Sequence, residues 1–191
     1  MNDNNITLTA RITRFDATNP ERLTKRFSLD EDGQLVKDAG GMLYAGNAQV
    51  VTVANLEDFR AVLLALEPHQ ALTYGIPANG EEQVEIVTKA EVEREPEEPG
   101  VIARSKEHMV FAPGKRGICF LDVDDLPGGM TMTEEEAVAQ LRRMIPGLAD
   151  VAILSQSSAS TYIFNGETGE ELKGAGGIHL PSGREIGDDL E

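Results

Sequence analysis

The sequence is poor in cysteine, aromatic residues and basic residues, and each shortage removes a class of function. A single cysteine, Cys119, excludes an internal disulfide bond and a cysteine-rich zinc site. Tryptophan is absent and aromatic residues make up 5%, which leaves few platforms on which unpaired bases can stack. With 17 Lys and Arg against 33 Asp and Glu, the formal net charge is −16. Such a chain repels phosphate backbones at long range, so we do not expect a general nucleic-acid coat protein.

Long apolar runs and several well-known catalytic motifs are also missing. No stretch reaches the ~18 apolar residues of a membrane span, and the N-terminal MNDNNITLTA has neither the basic start nor the apolar block of a secretory signal. We therefore expect a cytoplasmic protein with no membrane partner. The chain has no P-loop, no H-E-x-x-H and no C-x-x-C, and no G-x-S-x-G surrounds Ser157, Ser158 or Ser160. The absence of these motifs argues against a P-loop nucleotidase, a zinc protease and a serine hydrolase.

What the sequence does contain is a succession of short β-type stretches interrupted by two helices. Alternating apolar residues from Ile6 to Phe15 predict a strand with one buried face. Gly33, which follows an aspartate, suits the tight reversal of a hairpin because glycine accepts a positive φ. Further strands are predicted near residues 26–29, 34–36, 48–53, 109–112, 118–123, 151–154, 161–164 and 170–172.

Both predicted helices begin with a recognisable cap. Asn55 is followed three residues later by Asp58, and Thr133 is followed three residues later by Glu136, which is the pattern of a capping box. The second helix is predicted to bury Ala137, Val138, Leu141 and Met144. Together the elements predict an α+β fold with mainly antiparallel sheets and two or more flanking helices.

Composition also divides the chain. We predict an N-terminal α+β subdomain over residues 1–80, an acidic loop or linker over 81–100, a catalytic-like subdomain over 101–180 and a polar tail over 181–191. The acidic segment is typical of a solvated surface loop, although Val84 and Ile86 within it could form a short strand.

The best candidate for chemistry is the end of the apolar strand 118–123. Asp122 and Asp124 follow one another with the period of two that places side chains on the same face of a strand. Two carboxylates on one face repel each other unless a cation lies between them, and Mg²⁺ is typically held by one or two carboxylates together with phosphates. The spacing is therefore compatible with a divalent-metal site, and equally with acidic residues that begin the turn before Pro127.

A second candidate is His179, which follows two glycines that allow the backbone to approach a ligand closely. The imidazole could donate a hydrogen bond to a phosphate oxygen, or it could be a structural histidine. Nucleic acid, if bound, would meet the basic residues of the N-terminal region and the turn before the acidic strand: Arg11, Arg14, Arg22, Lys25, Arg26, Lys115 and Arg116.

Several segments, in this order, make the chain similar to the archaeo-eukaryotic-type primases, or primase-polymerases, of phages, plasmids and integrated elements. The segments are TNPERLTK at 18–25, ALTYGIP at 71–77, IARSKEH at 102–108, LDVD at 121–124, SSAS at 157–160 and GGIHL at 176–180. The resemblance extends from about Ile6 to Leu180 and covers the front of such a protein. It implies a primase-polymerase-like fold, truncated here, that acts in DNA replication.

The resemblance also implies roles for particular residues. Asp122 and Asp124 match the motif that binds catalytic Mg²⁺ or Mn²⁺, and His179 matches the histidine that contacts the phosphates of the incoming nucleotide. Its partners would be nucleotides, template nucleic acid and replication proteins. The family supplies a third acidic residue from a later strand, whereas here only eleven residues follow Leu180. The alternative is a non-catalytic acidic binding protein, or a DNA mimic, that retains the scaffold.

Overall fold

The computed structural model describes residues 9–94, 99–111, 116–123, 132–158, 160–174 and 177–185. It shows a mixed α+β protein whose sheets are mostly antiparallel, which confirms the predicted fold class. The strands are β1 (Ala10–Asn19), β2 (Arg26–Leu29), β3 (Leu35–Asp38), β4 (Ala45–Val53), β5 (Gln70–Thr73), β6 (Ile76–Pro77), β7 (Gln83–Val87), β8 (Val101–Ala103), β9 (Met109–Val110), β10 (Arg116–Val123), β11 (Gln156–Ser157), β12 (Ile163–Phe164), β13 (Glu171–Lys173) and β14 (Ile178–Glu185). The helices are α1 (Leu56–Leu64), α2 (Lys89–Arg94) and α3 (Glu134–Met144), and Pro146–Leu148 forms a 3₁₀ turn.

The described residues form two compact units. The first contains residues 9–26, 38–94, 99–111, 116–117 and 185, and the second contains 27–37, 118–123, 132–158, 160–174 and 177–184. The predicted linker 81–100 contains regular structure, since β7 and α2 lie within it and β7 is an inner strand of the first unit's sheet. Val84 and Ile86 are buried while Glu85 between them is exposed, so alternation gives this acidic stretch one apolar face.

The first unit is built on a five-stranded sheet in the order β5-β1-β4-β7-β8. All neighbours are antiparallel except β7 and β8, which run parallel. Strand β1 is buried on both faces, because Ile12 on one face and Phe15 on the other are almost inaccessible to solvent. Phe15 packs with Ala48, Val84 and other apolar side chains into one core cluster.

The second unit contains a three-stranded sheet in the order β10-β14-β11, the paired strands β12 and β13, and helix α3. Helix α3 begins as predicted, because the Thr133 hydroxyl accepts a hydrogen bond from the Glu136 amide and the Glu136 carboxylate accepts one from the Thr133 amide. The helix buries Ala137 against Ile178 and Leu180 of β14. Met144, predicted to be buried, is 69% exposed because it ends the helix beyond the last turn that meets this cluster.

Two further local predictions are confirmed and one is wrong. The Asn55 side chain caps α1 by accepting a 2.8 Å hydrogen bond from the Asp58 amide. Gly33 has a φ of +73° in the loop that joins β2 and β3. The strand predicted at 151–154 is wrong, since the regular pairing with β14 begins only at Gln156. Strand β14 also continues to Glu185, through the start of the predicted tail.

Candidate active site

The three-stranded sheet of the second unit has one face against α3 and a second face that carries the polar candidates. Leu121 of β10 and Ile178 and Leu180 of β14 belong to the cluster packed on α3. Successive side chains of a strand point to opposite faces, so Asp122 and His179 lie on the face away from the helix. The alternation that buries Leu121, Ile178 and Leu180 against α3 therefore places Asp122 and His179 on the same opposite face of the sheet.

On that face the His179 ring lies between an acidic group and an aromatic group. Its Nε2 atom is 3.4 Å from Oδ1 of Asp122, and its ring centroid is 5.3 Å from that of Phe120 with the ring planes inclined by 59°. Gln156 of β11 pairs with His179 across the sheet and so shares its face. The structure thus brings together Asp122 and His179, which are distant in sequence, at the distance of an ion pair.

The Asp122 carboxylate remains accessible. Its side chain is 44% exposed and that of His179 is 34% exposed. Among the residues whose side chains the structure describes, which do not include Arg116 and Arg184, no lysine or arginine lies within 4 Å of Asp122. An accessible carboxylate is the type of donor that Mg²⁺ and Mn²⁺ bind.

The Asp122 carboxylate is a donor of the kind that a divalent cation binds, and with the neighbouring His179 it would supply only part of a coordination shell. Asp124, the second predicted metal ligand, lies outside the described residues, so its place on the same face stays a prediction. Within the described ranges, no group of three or more His, Cys, Asp or Glu side chains is arranged as a metal site. Asp122 with Asp124 remains the donor set that the sequence predicts for Mg²⁺ or Mn²⁺.

A carboxylate that the sequence analysis missed lies on the opposite, helix-facing side of the sheet. Glu134, the first residue of α3, accepts hydrogen bonds from the hydroxyls of Ser155 (2.6 Å) and Ser157 (2.7 Å). The Ser155 hydroxyl, followed by that of Ser157, holds the pKa of Glu134 below its usual value. Ser157 pairs with Ile178 of β14, which faces α3. Glu134 therefore ties α3 to the segment that includes β11 and does not supply a third acidic group beside His179.

No local pattern in the sequence points to this contact, because Glu134 is separated from the two serines by more than twenty residues. A glutamate in the first turn of a helix is expected from the helix dipole alone. The cluster of serines near residue 157 is the one feature of the sequence that could indicate this contact, and it does not show which carboxylate the hydroxyls would hydrogen-bond.

The basic N-terminal region is less positive than its composition predicts. Three of its arginines are paired with carboxylates: Arg11 with Glu82, Arg14 with Asp16 and Arg22 with Asp38. Their charges are therefore neutralised within the first unit. Of the basic turn before β10, Lys115 lies outside the described residues.

No protein-family model, curated protein or solved structure matches this chain. Among the helices that the structure describes, none has the length and apolar character needed to cross a membrane.

Proposed function

We propose that this chain is a primase-polymerase-like nucleotidyltransferase domain that acts in the cytoplasm in DNA replication, with nucleotides and template nucleic acid as substrates and replication proteins as possible partners. The observation that supports the proposal is the approach of Asp122 and His179 on the open face of the β10-β14-β11 sheet, 3.4 Å apart. A carboxylate that can bind a cation, beside an imidazole that can donate to a phosphate oxygen, suits a nucleoside triphosphate.

Each residue has a defined role in this proposal. Asp122 and Asp124 would hold Mg²⁺ or Mn²⁺, which would supply positive charge to offset that of the triphosphate. His179 donates a hydrogen bond to a phosphate oxygen and so steadies the nucleotide. In the transfer, the 3′-hydroxyl gives up its proton to water, its oxygen forms a bond to the α-phosphorus, the bond between the α-phosphorus and its bridging oxygen breaks, and pyrophosphate leaves. The protein contributes positioning and charge stabilisation more than covalent chemistry.

The decisive experiment measures incorporation of labelled nucleotide on primed and unprimed templates, with Mg²⁺ or Mn²⁺, by the full chain. We expect Asp122→Asn and His179→Gln each to lower the rate by about 10²-fold or more, the effect of removing one electrostatic contact to a transition state. Asp150→Asn, an exposed acidic residue of the same unit, makes the same change of charge and serves as the matched control. Equal activity of Asp122→Asn and wild type would overturn the proposal.

A non-catalytic acidic binding protein is the second candidate. It is favoured by the net charge of −16. Calorimetric titration with Mn²⁺ separates the two candidates. Site-specific binding that disappears in Asp122→Asn or Asp124→Asn supports the enzyme, whereas the absence of specific binding, together with no incorporation on any template, supports the binding protein.

A further inference from the structure

A groove of about 560 Å³ opens on the first unit and is lined by residues of that unit alone. Its walls come from β1, β5, the segment before β4 and the turn between β8 and β9. Binding sites for small molecules and for parts of larger ligands typically measure roughly 300–1,000 Å³. The groove is therefore large enough for one unit of a polymer or one small molecule, and too small for a protein domain.

The charge of the groove is opposite to that of the protein. Three consecutive residues of the β8–β9 turn line it, Arg104, Ser105 and Lys106, and no aspartate or glutamate does. Both basic side chains are exposed. Among the residues whose side chains the structure describes, neither lies within 4 Å of a carboxylate, unlike three arginines of the N-terminal region, although the neighbouring Glu107 carboxylate attracts Lys106 at longer range. In a chain of charge −16, a groove lined by two cations and by no carboxylate favours an anionic ligand.

The remainder of the lining is apolar. Phe15 is 2% exposed and belongs to the core, whereas Met42 and Phe111 are 62% and 58% exposed. Large apolar side chains in contact with water at a groove favour a ligand that can cover them. Phe111 offers an aromatic ring, on which a planar base can stack.

We propose that this groove binds single-stranded nucleic acid, with phosphates at Arg104 and Lys106 and a base against Phe111. A single strand presents both chemistries side by side, because its bases are unstacked and its phosphates follow every nucleotide. A duplex presents its phosphates but keeps its bases stacked inside. The inference rests on the proposed function, for which it supplies a place for the template strand, and its test does not depend on catalysis.

The test is fluorescence anisotropy of a labelled oligodeoxythymidine about 12 nucleotides long, which lies within the usual range of single-strand site sizes. The full chain is titrated in EDTA, so that no metal contributes. We expect Arg104→Gln/Lys106→Gln to weaken binding about tenfold or more and to reduce the slope of log K against log salt by about 1.4, the value for two lost contacts to single-strand phosphates. Phe111→Ala is expected to weaken binding about tenfold through the lost stack.

The matched control is Lys37→Gln/Lys173→Gln, which removes two exposed lysines of the second unit and changes the net charge equally. Equal loss in both double variants would show that net charge alone decides the affinity and would overturn the inference. So would the absence of binding by wild type, or an unchanged affinity and salt slope in Arg104→Gln/Lys106→Gln. Circular dichroism confirms that the variants fold.

Two further arms define the ligand. If a nucleoside triphosphate displaces the oligonucleotide only at far higher concentration, the result supports a single strand as the ligand. If wild type binds the free nucleotide but not the oligonucleotide, and Arg104→Gln/Lys106→Gln loses that binding, the inference is overturned. Equal competition by duplex DNA also overturns it. If the groove variants lose binding while wild type incorporates no nucleotide, the proposed function fails and the inference stands.

Discussion

Glu134 provides a sharp test of how the second unit is held together. Its carboxylate accepts two hydroxyl hydrogen bonds, from Ser155 and Ser157, and so attaches the start of α3 to the chain at β11. A hydrogen bond to a charged group contributes about 1.5–3 kcal/mol when it is well shielded. Because Glu134 is only half-buried, water can replace part of the hydrogen bonding that its carboxylate loses when the two serines are substituted. We expect Ser155→Ala/Ser157→Ala to lower the free energy of unfolding by about 2 kcal/mol near neutral pH.

The effect should depend on pH with a definite sign. The two hydroxyls lower the pKa of Glu134 in the folded protein, from the 4.5 of an unperturbed glutamate. The stabilisation is therefore present above the unfolded-state pKa and is lost as pH falls through the lower pKa of the folded state. The difference between wild type and Ser155→Ala/Ser157→Ala should shrink in acid. Glu134→Gln, which cannot ionise, should remove this part of the pH dependence.

The measurement is urea unfolding followed by circular dichroism, from neutral pH down through the range in which glutamate titrates. Ser158→Ala/Ser160→Ala is the matched control, because these hydroxyls contact each other at 2.8 Å and involve no carboxylate. The free energy of unfolding that this control variant loses should stay the same over the pH range in which Glu134 titrates. If Ser155→Ala/Ser157→Ala lowers the free energy of unfolding by the same amount at neutral and at acid pH, the reasoning is refuted.

Two further predictions concern the first unit. A Cβ atom added at Gly46 would lie 2.3 Å from the carbonyl oxygen of Asp16 on the neighbouring strand, so Gly46→Ala should lower the free energy of unfolding by about 1–3 kcal/mol or more. Gly147→Ala, where nothing lies within 4 Å, should change it by less than about 0.5 kcal/mol, and urea midpoints that are equal in the two variants would contradict this. Burial raises the pKa of Tyr74, so the unfolded state ionises first and stability should fall as pH rises above about 10. Thermal unfolding across alkaline pH checks this, and Tyr74→Phe should flatten the dependence.

Several features of the fold are legible in the sequence because they depend on groups a few residues apart. The caps at Asn55 and Thr133 each join a side chain to an amide three residues later. The turn at Gly33 depends on its own φ, and the alternation of strand 118–123 puts Asp122 on the face opposite Leu121, which packs on α3. These predictions need only the geometry of one helix turn or one strand.

Other features depend on which strands become neighbours. The pair of Arg11 and Glu82 joins residues 71 positions apart and cancels a charge that the N-terminal sequence suggests is free. The buried face of β7 overrides the acidic composition around it because Val84 and Ile86 meet Phe15 across the sheet. Composition describes a segment by itself, whereas burial depends on the surface that another segment offers to it.

The candidate site divides in the same way. Residue type, spacing and the family resemblance predict Asp122, Asp124 and His179 as candidate groups, since a carboxylate or an imidazole keeps its affinity for cations or phosphates wherever it lies. Only the tertiary structure decided that Asp122 and His179 meet, that the Glu134 carboxylate contacts two serines instead, and that Arg104 and Lys106 line a groove. Contacts over such separations follow from strand pairing, which is settled by the packing of the whole unit and not by any local stretch of chain.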